Sequence, residues 1–126
     1  MGNANRPLTP AETRMRTRLR GIVRDLPEVT IERDGFGHST FKVRKRSFVI
    51  LGDRDGIPDL AIKSDPLTQE RLVRLGPWYR TPYIGQHGWV SIDGESLDWE
   101  QIGELVLDAY RLAAPRRLAR EADRPR

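Results

Sequence analysis

Few side chains in this 126-residue sequence have chemistry to offer, and the two histidines come first. His38 and His87 are the only imidazoles, and a general base needs a geometry that the sequence does not show. Cysteine is absent, which excludes disulfides, thiol nucleophiles and Cys-ligated zinc. No G-x-S-x-G is present, so no serine sits in a nucleophile elbow. Both histidines lie among turn-forming residues, in Gly37-His38 and Gln86-His87-Gly88, and read first as turn or strand-end hydrogen-bonders. Asp53, Asp55 and Asp59 with Gly56 have the composition of a calcium loop. The spacing fails, because the closing glutamate would fall at Ser64. A solvated turn between strands is expected there. Neither a metal nor any other cofactor is expected.

Two larger constellations remain. Lys63 ends an apolar run, and Phe41, Tyr83 and Trp89 stand near the ends of other strand-like segments. With His38 and His87 they would line an open sheet face, where a cation beside aromatics stacks bases or holds a small ligand. Taken singly, Phe41 and Trp89 read as core residues. The second constellation is cationic. Arg44-Lys45-Arg46 falls between two strand-like runs, as a hairpin tip able to reach phosphates. Arg14, Arg18 and Arg20 border the apolar stripe of the first helix and would add phosphate contacts. No base-reading motif accompanies them. Gly85-Gln86-His87-Gly88 spells G-x-x-G, yet it joins two strand-like segments and not two helices. The RNA-backbone clamp is therefore rejected in favour of a tight turn.

These residues need elements to hold them, and the pattern supplies an order. Thr9-Pro10-Ala11-Glu12 is a capping box with proline at the first helical position. Met15, Leu19, Ile22, Val23 and Leu26 follow at helical spacing. Strands are expected at 29–32, 40–43, 47–51 and 60–63, separated by Asp-Gly turns. Asp65-Pro66 opens a short helix carrying Leu67, Leu72 and Leu75 and closing at Gly76-Pro77. Residues 79–84 read as an edge strand, since Pro82 cannot donate to a ladder. Residues 89–92 form the last strand. Asp98 caps a third helix with an apolar stripe of Trp99, Ile102, Leu105, Val106, Ala109, Tyr110 and Ala113, broken by Pro115. Short links between strands predict an antiparallel sheet of five or six strands in a two-layer α+β fold with helices on one face. The expected organisation is a flexible leader at 1–8, one domain at 9–115 and a basic flexible tail at 116–126.

Charge follows that division. The net charge is +4. Residues 1–24 carry +5, the middle of the chain −5 and residues 111–126 +4. Basic character thus belongs to the two ends. Most of the cations are arginine, whose guanidinium suits phosphate geometrically, although a codon bias toward arginine gives the same count. The beginning of the chain has no apolar run of signal-peptide type, and no stretch approaches the roughly 20 apolar residues that span a bilayer. A cytoplasmic protein without membrane contact is expected.

The stretches GHSTFKVRKRSFVIL, PDLAIKS and TPYIGQHGWVSID, with the last helix running to RLAAPRRL, resemble the MmcQ/YjbR family over residues 11 to about 118. The strongest pieces are Gly37-His38-x-x-Phe41, Lys63, and Tyr83-x-Gly85-x-x-Gly88-Trp89-Val90. Ser39 stands where many members have proline. Gln86 stands where many carry lysine, which removes a cation from that loop. The resemblance implies a two-layer α+β fold with an antiparallel sheet, matching the element order read from the residues. It also implies a DNA-binding role, by analogy with a winged domain. Some members accompany antibiotic-biosynthesis clusters, which leaves a small-molecule role open.

The first functional expectation is a non-enzymatic DNA-binding domain contacting phosphates through Arg44, Lys45, Arg46 and Lys63, helped by Arg14, Arg18 and Arg20. The alternatives are a small-molecule or enzymatic pocket of His38, Phe41, Lys63, Tyr83, His87 and Trp89, and a protein-interaction module on the open face. A monomer or weak dimer is expected.

Overall fold

The structure, a computed structural model, describes residues 5–124. Helix α1 (Pro10–Val23) begins on the expected capping box: the Thr9 hydroxyl accepts from the Glu12 N–H and the Glu12 carboxylate accepts from the Thr9 N–H. Strands β1 (Val29–Arg33), β2 (Ser39–Val43), β3 (Arg46–Arg54) and β4 (Ile57–Ile62) follow as hairpins. Helix α2 (Pro66–Leu75) starts on the Asp65 side chain and ends at Gly76, whose φ of 64° is left-handed. Strand β5 (Tyr79–Arg80), a 3-10 turn (Gly85–His87) and strand β6 (Val90–Asp93) lead to helix α3 (Trp99–Ala113), capped by Asp98. A fourth helix, α4 (Arg116–Ala122), completes the described chain.

The six strands form one antiparallel sheet in the order β1-β2-β3-β4-β6-β5. Period-two alternation assigns each residue a face. Phe41, Val49, Leu51, Leu60, Ile62, Val90 and Ile92 point to the side on which α1 and α3 pack. Met15 and Leu19 of α1 and Ile102, Val106 and Tyr110 of α3 close that core. A register shift opposite Phe41 and Lys42 lets consecutive Phe48 and Val49 both be buried, as a bulge does. Phe48 then meets the Tyr110 ring edge-on at 5.7 Å, and the Tyr110 hydroxyl donates to the Pro27 carbonyl at 2.8 Å. Among the described residues no helix is long and apolar enough to cross a membrane.

The α+β class, the antiparallel sheet and the three capped helices agree with the pattern in the sequence. Four details differ. The edge strand stops at Arg80, because Pro82 and the left-handed Tyr83 bend the chain out of the ladder. On α2 only Leu72 of the three leucines is buried, while Leu67 and Leu75 are 78% and 75% exposed. The expected tail contains α4, anchored by Leu118, which is buried in the core; residues 125–126 lie outside the described residues. The part of the expected leader that the structure describes is tied down: Arg6 holds the buried Glu12 carboxylate with two bonds of 2.7 and 2.8 Å, and its carbonyl accepts from Arg33.

Candidate functional site

The uncovered face of the sheet carries two adjacent rows of side chains. Ile50, Ala61, Ser91 and Tyr79 are register partners in one row, and Gly52, Asp59 and Asp93 are partners in the next. Ile50, Ala61 and Ser91 floor a concavity of about 440 Å³, within the size range of small-molecule sites. Its walls rise from outside the sheet. On one side stands the turn holding Phe36 and His38, and on the other the segment from Thr81 to Ile84.

His38 is placed by its own turn. Asp34 Oδ1 accepts from the backbone N–H groups of Phe36 and His38, and its Oδ2 lies 3.1 Å from His38 Nδ1. A proton on Nδ1 satisfies that pair and leaves Nε2, which has no hydrogen-bond partner among the described residues, free as an acceptor. The imidazole lies over Gly52 because that residue has no side chain. A methyl group there would sit 2.7 Å from His38 Cδ2 and 2.6 Å from Asp59 Oδ1. The same missing side chain therefore brings His38 and Asp59 to one point at the end of the floor.

Asp59 is the chemically distinctive group. Its side chain is 27% exposed, and its nearest cation is Arg54 at a long 3.5 Å. Burial raises its pKa above the ordinary aspartate value, Arg54 and His38 pull it back only in part, and Asp93 and Asp53 push it further up. The other polar groups of the floor satisfy one another. The Tyr79 hydroxyl donates to Asp93 Oδ1 at 2.6 Å; burial first, then that bond, push the phenol up to about 12. The Thr81 and Ser91 hydroxyls share a bond of 2.7 Å. Asp53 is occupied by the Thr9 hydroxyl and the Gly56 N–H. Asp59 and His38 Nε2 are left with capacity for a ligand.

The structure divides the residues expected to share a pocket. His38 and Tyr83 line the concavity. Phe41 is fully buried on the opposite face, since its parity in β2 points it at the helices. Lys63 and Trp89 stand at the far end of β4 and β6, with the ammonium 6.0 Å from the indole ring. His87 belongs to the 3-10 turn, beside the Gln86 amide. The G-x-x-G segment is a tight turn: Gly88 has φ of 93°, and a methyl on it would lie 1.9 Å from the Ser64 carbonyl oxygen.

The cationic set is partly neutralised. Arg44 is held by the Glu28 carboxylate through two nitrogens. Arg14 makes bonds of 2.8 and 2.7 Å to Glu95. Arg18 covers the Trp99 ring at 5.1 Å. Arg20, Lys45 and Arg46 carry no ion pair among the described residues. Lys45 follows Arg44 at the hairpin tip, both with positive φ, as a two-residue connection with right-handed strand twist requires. Asp34, Gly52, Tyr79, Thr81 and Ser91 are site residues that sequence reasoning missed, and Asp59 it read only as part of a solvated turn. The Asp34-Gly35-Phe36-Gly37 turn chemistry signalled Asp34; Gly52, Asp59, Tyr79 and Ser91 meet through strand register, and Thr81 joins them through the Ser91 hydroxyl. The Asp53, Asp55 and Asp59 trio does not converge, and no metal-binding cluster occurs among the described residues.

A family model described as YjbR matches residues 24–112, which include every lining residue of the concavity and exclude the whole of α1. The crystal structure of Deinococcus radiodurans protein DR2400, described with a DUF419 domain, superposes with a TM-score of 0.67. That alignment has 23% sequence identity and covers 85% of this chain and 86% of that one. No curated protein matches the chain.

Proposed function

The chain belongs to the YjbR family, and from that premise we propose that it is a small ligand-binding domain. Its open sheet face would hold an organic molecule bearing a positive charge or paired hydrogen-bond donors. The observation that carries this reading is Asp59: a half-buried carboxylate beside an apolar floor and a free imidazole nitrogen, whose one cationic partner among the described residues is the exposed Arg54 at a long 3.5 Å. A carboxylate in partial burial, held by Arg54 only at 3.5 Å, gains from a ligand that brings a closer positive charge with it. Ile50 and Ala61 supply apolar contact, and the satisfied Tyr79–Asp93 and Thr81–Ser91 pairs hold the walls.

The test is a titration of the full chain followed by backbone amide NMR, with benzamidine as the cationic probe and benzoate as its anionic counterpart. Saturable benzamidine shifts at His38, Asp59 and Ser91, lost in Asp59→Asn, are expected. Benzoate is expected to leave those signals in place. Equal binding of the two probes, or full affinity in Asp59→Asn, overturns the reading.

Phosphate contact at the β2–β3 tip is the second reading, favoured by one observation: Lys45 and Arg46 stand exposed and unpaired there among the described residues. DNA binding of this kind is steeply salt-dependent. It fails if Lys45→Glu with Arg46→Glu leaves duplex affinity at low salt unchanged.

A further inference from the structure

Two aromatic side chains at the mouth of the concavity have little part in the core. Tyr83 is 96% exposed and Phe36 is 62% exposed. Tyr83 also has a φ of 68°, and the Ile84 N–H donates across it to the Pro82 carbonyl at 2.8 Å. This is a γ-turn of the rare, strained hand, which glycine adopts freely and tyrosine does not. The turn is held in place from outside. The Gly85 N–H donates to the Thr81 carbonyl at 2.8 Å, and the His87 N–H to the Ile84 carbonyl at 3.0 Å. The ring at its apex gains almost no burial in exchange for the strain. Strain of this kind persists where the surrounding structure holds it, and such residues cluster at active sites and ligand clamps.

Across the opening, Phe36 stacks on His38 with ring centroids 6.0 Å apart and planes 28° from parallel. Its backbone N–H is pinned by Asp34 at 2.8 Å. One mouth therefore has an aromatic on each side, and a carboxylate stands below.

We propose that Phe36 and Tyr83 form an aromatic clamp that selects a planar ring with two adjacent N–H donors on one edge, an amidine-like or aminoheteroaromatic cation. The inference rests on the Asp59 reading above and adds the ring requirement to it. The carboxylate reads the paired donors of the edge, a geometry that suits a planar fork. The two aromatics take the faces of the ring, where stacking and cation–π attraction act together. An aliphatic cation engages only the carboxylate.

The experiment compares benzamidine with acetamidine, which has the same cationic edge and no ring. Both are titrated by NMR into the wild-type full chain, Tyr83→Gly and Phe36→Ala, with thermal melting of each protein. Benzamidine is expected to bind wild type about tenfold more tightly than acetamidine. Each variant is expected to lose most of that advantage while its acetamidine affinity stays unchanged. Tyr83→Gly is expected to melt at a higher temperature, because glycine relieves the turn. Equal wild-type affinities for the two amidines overturn the clamp and leave the Asp59 reading standing, as does undiminished benzamidine binding in Tyr83→Gly. A lower melting temperature in Tyr83→Gly makes the tyrosine structural and also overturns the clamp. If neither amidine shifts the signals of the concavity, both inferences fall.

Discussion

Gly52→Ala tests whether the candidate site is built by the absence of one side chain. Gly52 lies in β3 without a left-handed φ, so alanine fits the backbone there. The new methyl group would lie 2.6 Å from Asp59 Oδ1 and 2.7 Å from His38 Cδ2. An ordinary carbon–oxygen contact begins near 3.3 Å, so the carboxylate must withdraw by about 0.7 Å. The obstructing atoms are ends of side chains, which swing away at modest cost. Losing the 3.1 Å His38–Asp34 contact costs about 1 kcal/mol. Replacing glycine by alanine returns about 0.4–1 kcal/mol by restricting the unfolded chain. The two nearly cancel, and the melting temperature is expected to stay within about 5 °C of wild type. Binding is another matter. A charged hydrogen-bond pair is worth about 1.5–3 kcal/mol, so the benzamidine dissociation constant is expected to rise about 10- to 100-fold. Amide NMR titration and differential scanning calorimetry on one sample give both numbers. Wild-type affinity in Gly52→Ala refutes the argument that Asp59 reads the ligand. A melting temperature lower by more than about 10 °C refutes the argument that side chains alone absorb the methyl group.

Gly88→Ala presents the opposite case, since the obstacle is the Ser64 backbone oxygen at 1.9 Å and φ is 93°. A loss of about 3 kcal/mol or more is expected in chemical denaturation. Arg6→Ala strands the fully buried Glu12 carboxylate and is expected to cost about 3 kcal/mol at neutral pH. Burial pushes the Glu12 pKa up, but the Arg6 bonds and the Thr9 N–H outweigh it and hold it below the ordinary 4.5. That stabilisation is present above 4.5 and fades as the pH falls through the depressed value, so denaturation curves of wild type and Arg6→Ala should converge in acid. Asp59 has the reverse sign. Its raised pKa makes the folded state bind protons more tightly, so stability is lost as the pH rises from 3.8 through the folded value. Asp59→Asn is accordingly expected to melt higher than wild type at neutral pH, with no advantage below pH 3.8. Leu118→Ala removes the apolar anchor of α4 and is expected to cost about 2 kcal/mol. An unchanged denaturation midpoint would mean that the helix does not dock.

Local chemistry was legible because its partners are neighbours in the chain. The Thr9–Glu12 capping box, the Asp65 and Asp98 caps and the α3 stripe each need only three or four residues of context, and each occurs in the structure. Alternation in β2 likewise separated Phe41 and Val43 from Lys42. Helix α4 escaped because one buried leucine among arginines makes no periodic signal. The cationic surface was overstated for a related reason. Arg14 is neutralised by Glu95, 81 positions away, and Arg44 by Glu28 across a strand. Net charge in a segment does not reveal such pairs.

The sequence by itself determined the capped helices, the hairpin turns and the α+β class, because turn chemistry and hydrophobic period act over a few residues. Tertiary structure alone decided where the site lies. Strand parity sent Phe41 to the core, and the Asp34 turn set His38 over the open face. His38 and Asp59 meet because the β3–β4 register sets Gly52 opposite Asp59. Lys63 and Trp89 stand apart from them because they extend the same strands at the other end. Register is fixed by burying a whole face at once, so no local stretch of sequence encodes which polar groups will share the face left open.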